Sequence, residues 1–326
     1  MKLIKPSFEI IEQLPGEEGI YKQIELAGRV CWKSENKITE DSYKNFIEML
    51  KSKQHLSVLE HGTVYLKYDI IEHRSMNMAN KYYYSNKYSK VIIGNEPLHG
   101  YETPEYKERF NGHTCAYITT NYRVLVENNW LDDLKYLCEP TEHHQKRITV
   151  RFILDRAIAN EFVRHRVFSF AQESTRYCNY SKDKFGGECT FIMPSWFPYI
   201  PGNWGISETE DYWGNYNGTI ITLNDKNVEH DVFKEDREHF KAYITSLKNS
   251  EHTYFNLLSK GWTPQQARVV LPNSLKTELV MTGFVSDWRY FFKLRCAPSA
   301  HPQARELAEP LYSEFIKRGY FNEKNC

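Results

Sequence analysis

The sequence predicts an α+β fold: one domain over residues 1–326, interrupted by a large insertion at 71–146. Three observations carry that expectation. Runs with strand character at 63–70, 147–154 and 275–285 share the chain with helical runs at 40–54, 232–259 and 303–318. The stretch from 71 to 146 is polar, tyrosine-rich and irregular, as an insertion on the surface of a core fold would be. No Gly-x-Gly-x-x-Gly follows a strand, so a dinucleotide cleft of the doubly wound parallel kind is not expected.

Taken in order, residues 40–54 place Tyr43, Phe46, Ile47 and Leu50 on one helical face, with Thr39 as the expected N-cap. The alternating run 63–70 (Thr-Val-Tyr-Leu-Lys-Tyr-Asp-Ile) reads as a strand. Inside the insertion only 130–137 hints at a helix. The β-branched run 147–154 leads to Asp155, placed to cap a helix with Ile158, Phe162 and Val163 facing inward. Residues 182–230 are rich in Gly, Pro, Trp and Asn and are read mostly as loop. The helical region 232–259 is expected to break near Asn249-Ser250 and to stop at Gly261. Thr263-Pro264-Gln265-Gln266 is a capping box with proline at the first helical position, opening a short helix that Pro272 ends. A strand over 275–285, a helix capped by Ser286 and running to Leu294, and a last helix over 303–318 bent at Pro310 complete the chain.

Composition excludes several classes. Lys+Arg and Asp+Glu balance at 42 each, so no global field draws the protein to nucleic acid or anionic lipid. An anionic ligand has to be held by local arginines. No apolar run reaches the roughly 18–20 residues of a membrane span, and the first residues lack a signal-peptide core. Seven scattered cysteines without a Cys-x-x-Cys pair suggest neither a zinc site nor a disulfide scaffold. Reduced thiols in the cytoplasm are the expected state. His143-His144 beside Glu142 has no companion ligand at metal spacing and is read as a solvated turn, so no metal is expected.

The most informative stretch is 164–177, Arg-His-Arg-Val-Phe-Ser-Phe-Ala-Gln-Glu-Ser-Thr-Arg-Tyr. Its three guanidiniums stand beside hydroxyl and amide groups, and a guanidinium offers a rigid fork of donors to phosphate and to planar carbonyl edges. Cations at the end of a helix also oppose its dipole favourably. That bland reason accounts for one or two of them, but not for Ser174 and Arg176 downstream.

Arg164-His165-Arg166, seven residues, then Ser174 resembles the signature of the flavin-dependent thymidylate synthases. His55-x-Ser57-x-x-Glu60-His61 is similar to that family's flavin-contacting segment, and Ala27-Gly28-Arg29-Val30-Cys31 to its N-terminal motif. The run 267–272, which carries Arg268, then Phe292-Lys293-Leu294-Arg295 and a segment at His301, follow in family order. The likeness covers roughly residues 20–70 and 147–318; the insertion between them is unusual for the family.

The resemblance implies a flavin-dependent thymidylate synthase-like fold with a single catalytic domain. It implies transfer of a one-carbon unit from 5,10-methylenetetrahydrofolate to deoxyuridine monophosphate (dUMP), with FAD as the flavin and NADPH recharging it. It also implies a homotetramer whose active sites are shared between subunits. Arg295 becomes the catalytic residue, a permanent charge that stabilises the anion developing on the uracil ring. Glu161, Arg164, Ser174, Arg176, Arg268 and Arg295 become dUMP ligands, and His55, Ser57, Glu60, Arg164, His165, Arg166 and Gln172 become FAD contacts.

Each assignment has a plain alternative. Arg268 and Arg295 could be helix-surface charges, Glu161 a salt-bridge partner, and His165 a satisfied structural histidine. His61 is read as structural, and Cys31 is not promoted to a nucleophile. Ser174 lacks the Gly-x-Ser-x-Gly elbow of a hydrolase. Phe284 and Tyr290 stand where other members have amides near the flavin, and Ala171 replaces a polar residue of the signature. Two other functions are kept open. One is a flavin- and folate-dependent enzyme acting on another pyrimidine nucleotide. The other is a nucleic-acid-binding module built on arginines and stacking tyrosines, against which the zero net charge and lack of a basic stripe both argue.

Overall fold

The computed structural model describes residues 1–70, 73, 75–85, 88–96, 113–197, 204–210, 216–222 and 237–321. Their elements run β1 (Lys2–Ile4), β2 (Ser7–Ile11), α1 (Gly16–Trp32), α2 (Ser42–Ser52), β3 (Thr63–Asp69), α3 (Asn77–Ser85), β4 (Lys90–Glu96), β5 (His113–Asn121) and α4 (Tyr122–Glu127). Then come β6 (Arg147–Asp155), α5 (Arg156–Phe162), β7 (Ser169–Gln172), β8 (Thr190–Ile192), β9 (Trp204–Glu210), β10 (Tyr216–Thr222) and α6 (Arg237–Ser259). The chain closes with α7 (Pro264–Ala267), β11 (Lys276–Phe284), α8 (Val285–Arg295) and α9 (Pro302–Lys317). This is the α+β class that the pattern of runs predicts.

The sheet that carries the site has the order β2-β6-β11-β7, every neighbour antiparallel. Alternation along its strands sends Val150, Phe152, Leu154, Leu279 and Met281 into a core with α5, α8 and α9, where Trp288, Phe291 and Phe315 are fully buried. Each such side chain contributes about 1.5–3 kcal/mol by leaving water. Val280 and Ala171 point the other way, onto Ala27 and Val30 of α1. The sheet is therefore covered on both faces. Along β6 the apolar Ile148, Val150, Phe152 and Leu154 alternate with Thr149, Arg151 and Ile153 on the opposite face.

The helix α1 is not foreseen by the sequence reading, which treats its last residues only as a motif. Within 71–146 the expected irregularity holds only in part. The strand β5 pairs with β3 and β4, and Ala116, Ile118, Tyr122 and Leu125 share a core with Ile20, Ile24, Phe46 and Leu50 of α1 and α2. Its residues Thr-Cys-Ala-Tyr-Ile-Thr-Thr-Asn (114–121) show no apolar-polar alternation, because buried threonines and apolar side chains occur together. The helical hint at 130–137 is a 3-10 turn, Leu131–Tyr136.

Other local expectations are corrected. The stretch 182–230, read mostly as loop, contains β8, which lies parallel to β1, and the antiparallel pair β9 and β10. The helix α6 runs unbroken through Asn249 and Ser250, the Ser250 hydroxyl donating to the Ser246 carbonyl at 3.0 Å; residues 232–236 lie outside the described residues. The N-cap of α2 is Asp41 instead of Thr39. At α8 the Asp287 carboxylate accepts from the Phe284 N–H at 3.1 Å, the capping role expected of Ser286. Asp155 does cap α5, accepting from Ile158 N–H at 2.9 Å. Gly28 lets α1 approach its neighbours closely: a Cβ there would stand 2.6 Å from the Phe46 ring and 2.9 Å from Val58. Among the described residues no helix is long and apolar enough to cross a membrane.

Candidate functional site

Two groups of side chains gather the residues singled out by sequence. The first forms where α5 and α8 end side by side, both anchored on the β6–β11 pair. Glu161 occupies the last turn of α5, and the chain then bends, with His165 N–H donating to the Phe162 carbonyl at 3.1 Å. Arg295 closes α8 and reaches across. Its Nε donates to His165 Nε2 at 3.0 Å, its Nη2 to the Glu161 carbonyl at 2.8 Å, and its Nη1 to the Glu161 carboxylate. Since arginine cannot accept a hydrogen bond or give up its proton, His165 Nε2 must be the acceptor, so the imidazole is neutral with its proton on Nδ1. Burial first, and the Arg295 charge second, push the His165 pKa down to about 4. Phe162 and Phe291 wall this group from below, the His165 ring lying 5.0 Å from that of Phe291.

Arg164 and Arg166 flank His165 but are exposed, and among the described residues neither guanidinium has a carboxylate partner. Arg123, Arg151, Arg295, Arg305 and Arg318 each pair with a carboxylate, whereas Arg164 and Arg166, like Arg176 and Arg268, carry their charge without one among the described residues.

The second group surrounds the end of β7. Ser174 N–H donates to the Cys31 carbonyl at 3.0 Å, which ties the loop to the end of α1. Arg176 N–H reaches the Ser174 hydroxyl at 3.3 Å, and Arg176 Nε donates to Gln265 Oε1 at 3.0 Å. Arg268 Nη1 donates to Thr175 Oγ1 at 3.1 Å. The capping box therefore does more than start a helix: it brings Gln265 and Arg268 against the serine loop. Trp32 joins this group to the segment that carries His55 and Ser57. Its ring stacks on His55 (6.0 Å between centroids, 20°) and lies 6.4 Å from Tyr177. His55 and Ser57 are exposed. Gln172, at the end of β7, donates to Thr277 Oγ1 at 3.4 Å.

Some assignments are occupied elsewhere. The Glu60 carboxylate is paired with Arg123 at 2.6 Å, and its carbonyl accepts from the buried Arg147 at 3.0 Å. His61 is fully buried, hydrogen-bonded to Thr282 at 2.8 Å, and pushed down to about 3 by burial and then by Arg147, in line with its structural reading. Burial raises the Cys31 thiol to about 11, which makes it a poor nucleophile at neutral pH. His143-His144 is a turn, though not a solvated one: His144 is buried and accepts from Thr141 N–H at 3.1 Å. A cavity of about 340 Å³ lies apart from both groups, lined by Glu12, Leu14, Tyr65, Glu139, Lys146 and Arg147 among others. Sequence reasoning missed Trp32, Thr175, Tyr177 and Gln265. Trp32 follows the motif residue Cys31, Thr175 and Tyr177 lie inside the stretch 164–177, and Gln265 lies inside the capping box, so each was in view but given no site role.

The family model described as thymidylate synthase complementing protein matches residues 138–318. A flavin-dependent thymidylate synthase of Corynebacterium aurimucosum is 29% identical over 167 residues, covering 51% of this chain and 56% of that protein. One from Pyrococcus furiosus is 23% identical over 163 residues, 50% of this chain and 51% of that protein. The chain thus spans about half the length of the relatives it matches. Among solved structures, the UMP/dUMP methylase PolB from Streptomyces cacaoi bound with 5-Br dUMP is 16% identical. It aligns with a TM-score of 0.41 over 97% of this chain and 93% of that chain.

Proposed function

We propose a function from one premise: this chain belongs to the family of thymidylate synthase complementing proteins, whose model matches more than half of it. The proposed activity is that of an FAD-dependent thymidylate synthase. It passes the methylene of 5,10-methylenetetrahydrofolate to dUMP and reduces it to the methyl of dTMP, NADPH restoring the reduced flavin. The observation that supports this most is the meeting of Arg295 with Glu161 and His165, 134 and 130 positions away in sequence, on one hydrogen-bonded guanidinium.

In this reading Arg295 faces the uracil ring and stabilises the charge that develops as C5 becomes nucleophilic. Glu161 and neutral His165 orient its fork; without them the side chain would lose its fixed direction. Ser174, Arg176 and Arg268 hold the nucleotide, Arg268 through its phosphate, with Arg164 on the same side. The donor set also fits an anionic dinucleotide. Unpaired Arg164 and Arg166 supply the counter-charge, and His55, Ser57 and Gln172 supply a ring face and small polar groups. Bound FAD would supply the hydride in its reduced form. The role of Glu60 is restricted to the part of its carboxylate that Arg123 leaves accessible.

Several further points belong to the same proposal. Residues 1–326 act as a single catalytic domain with residues 71–146 inserted. The protein works as a homotetramer whose active sites draw residues from several subunits. Anaerobic incubation of the FAD-loaded protein with dUMP, methylenetetrahydrofolate and NADPH tests the reading, with mass analysis of the nucleotide. The expected product is dTMP. Unchanged dUMP with bound flavin would overturn it, and a hydroxymethylated product, or conversion of a different pyrimidine nucleotide, would move the assignment to that chemistry.

A further inference from the structure

Ser174 and Arg176 lie in the segment 174–179, and a buried carboxylate joins its two ends. Glu173 is 2% exposed. One of its oxygens accepts from the Tyr180 hydroxyl at 3.2 Å and the other from Lys276 Nζ at 2.7 Å. Tyr180 is itself buried, its ring packed against Phe185 and Tyr254 at centroid distances of 5.0 and 5.8 Å. Glu173 thus holds residue 180 from position 173, while Lys276 fastens the pair to the first residue of β11.

Lys276 is part of a larger group. It also donates to Glu278, which receives Lys33 from the end of α1 and Arg151 Nε from β6 at 2.9 Å. Glu35 accepts from Lys33 at 3.0 Å and from Arg151 at 3.4 Å. Three cations and three carboxylates therefore balance across α1, β6, β11 and the serine loop. Buried ion pairs of this kind can often be replaced by apolar side chains without loss of stability, so stability alone is a weak reason for their presence. What an apolar pair cannot do is prescribe one direction for each partner, which a hydrogen-bonded carboxylate does. The backbone bonds from Ser174 N–H to Cys31 and from Glu173 N–H to the Glu278 carbonyl at 2.9 Å hold only the near end of the segment. The far end is anchored by the fully buried Cys178, whose N–H reaches the Ser174 carbonyl at 2.9 Å, and by the Tyr180 hydroxyl on Glu173.

We propose that Glu173 is a positioning residue: by clasping Tyr180 and Lys276 it fixes the shape of the loop that presents Ser174 and Arg176 to the nucleotide. The proposal rests on the reading of that loop as the dUMP-binding segment. It is tested on the FAD-loaded protein by titration calorimetry with dUMP and by thermal unfolding. The variants are Tyr180→Phe, Glu173→Gln and the double variant Glu173→Leu/Lys276→Met. Tyr180→Phe keeps the packed ring and removes one donor, so it is expected to weaken dUMP binding about three- to tenfold, the effect of one hydrogen bond. Glu173→Gln leaves Lys276 with only Glu278, an acceptor it shares with Lys33 and Arg151, and is expected to lower the melting temperature as well.

The double variant separates positioning from stability. It is expected to regain the melting temperature while dUMP remains at least about tenfold weaker than wild type. Recovery of both properties together, or wild-type affinity in Tyr180→Phe, would overturn the clasp. Failure of the wild-type protein itself to bind dUMP would instead remove the nucleotide reading on which the clasp depends.

Discussion

Replacement of Arg295 by alanine asks how much of the proposed chemistry depends on one guanidinium. Three hydrogen bonds disappear, two to Glu161 and one to His165. Hydrogen bonds from a charged donor contribute about 1.5–3 kcal/mol each. The Glu161 side chain is 37% exposed, so its carboxylate recovers water and its share falls to about 1 kcal/mol or less. His165 is 6% exposed, and its unpaired acceptor costs about 1–3 kcal/mol. The expected loss of stability is therefore about 2–4 kcal/mol, enough to lower the melting temperature of the folded protein without unfolding it. The larger effect falls on catalysis. Removing one preorganised donor from a developing anion costs about 10²–10³ in rate, so thymidylate formation is expected to drop at least a hundredfold with flavin still bound. Arg295→Lys separates charge from geometry, because an ammonium cannot span His165 and both Glu161 acceptors as the fork does. Lysine is expected to restore less than about a tenth of the lost activity. The assay is anaerobic single-turnover conversion of dUMP read by mass, beside flavin absorbance and thermal unfolding. A rate for Arg295→Ala within about threefold of wild type would refute the assigned role.

Three other outcomes are expected. Ser174→Ala should weaken dUMP binding about tenfold by calorimetry, the effect of one hydrogen bond; no product even at saturating dUMP would contradict a binding role. The imidazole of His165, with its pKa near 4, should remain neutral from pH 8 down to about pH 5 when followed by NMR, and Arg295→Ala should raise its pKa only part of the way, since burial is the larger cause. A midpoint near 6.5 in the wild-type protein would show that the pocket is wetter than described. Burial alone would raise the Glu278 carboxyl, but Lys276 and Lys33 outweigh it and hold the group at about 2, below the ordinary 4.5. Its folded value is depressed, so it adds on the order of 3 kcal/mol of stability above pH 4.5, lost as pH falls from 4.5 through about 2. Denaturant titrations at pH 6 and pH 3 should show a steeper acid loss for wild type than for Glu278→Gln, and equal losses would dismiss the network as a stabilising device.

Much of the frame was legible because it follows local rules. The strand 147–154, the Asp155 cap, the apolar face of 40–54 and the capping box at Thr263 each announce themselves within a few residues. What escaped depends on partners remote in sequence. The strand β5 looks irregular because its threonines are buried between β3 and β4 and have lost the alternation of a half-exposed strand. The pair β9 and β10 hides in a Gly- and Asn-rich stretch that composition assigns to loops. At the candidate site, motif spacing identified Glu161, His165 and Arg295, but not that one guanidinium would bond to the other two. Nor could it disclose that Glu60 is held by Arg123, since that arginine lies within the stretch taken for an insertion.

The missing side chain at Gly28 has a consequence for tuning. With Phe46 and Val58 pressed against that bare backbone, the helix acts as a gauge block for the turn bearing His55 and Ser57. An added methyl would have to move the ring or lift the turn by several tenths of an ångström, altering how far those two groups project while leaving both unchanged. The projection of those two groups is thus set by thickness, at a residue that has no side chain of its own.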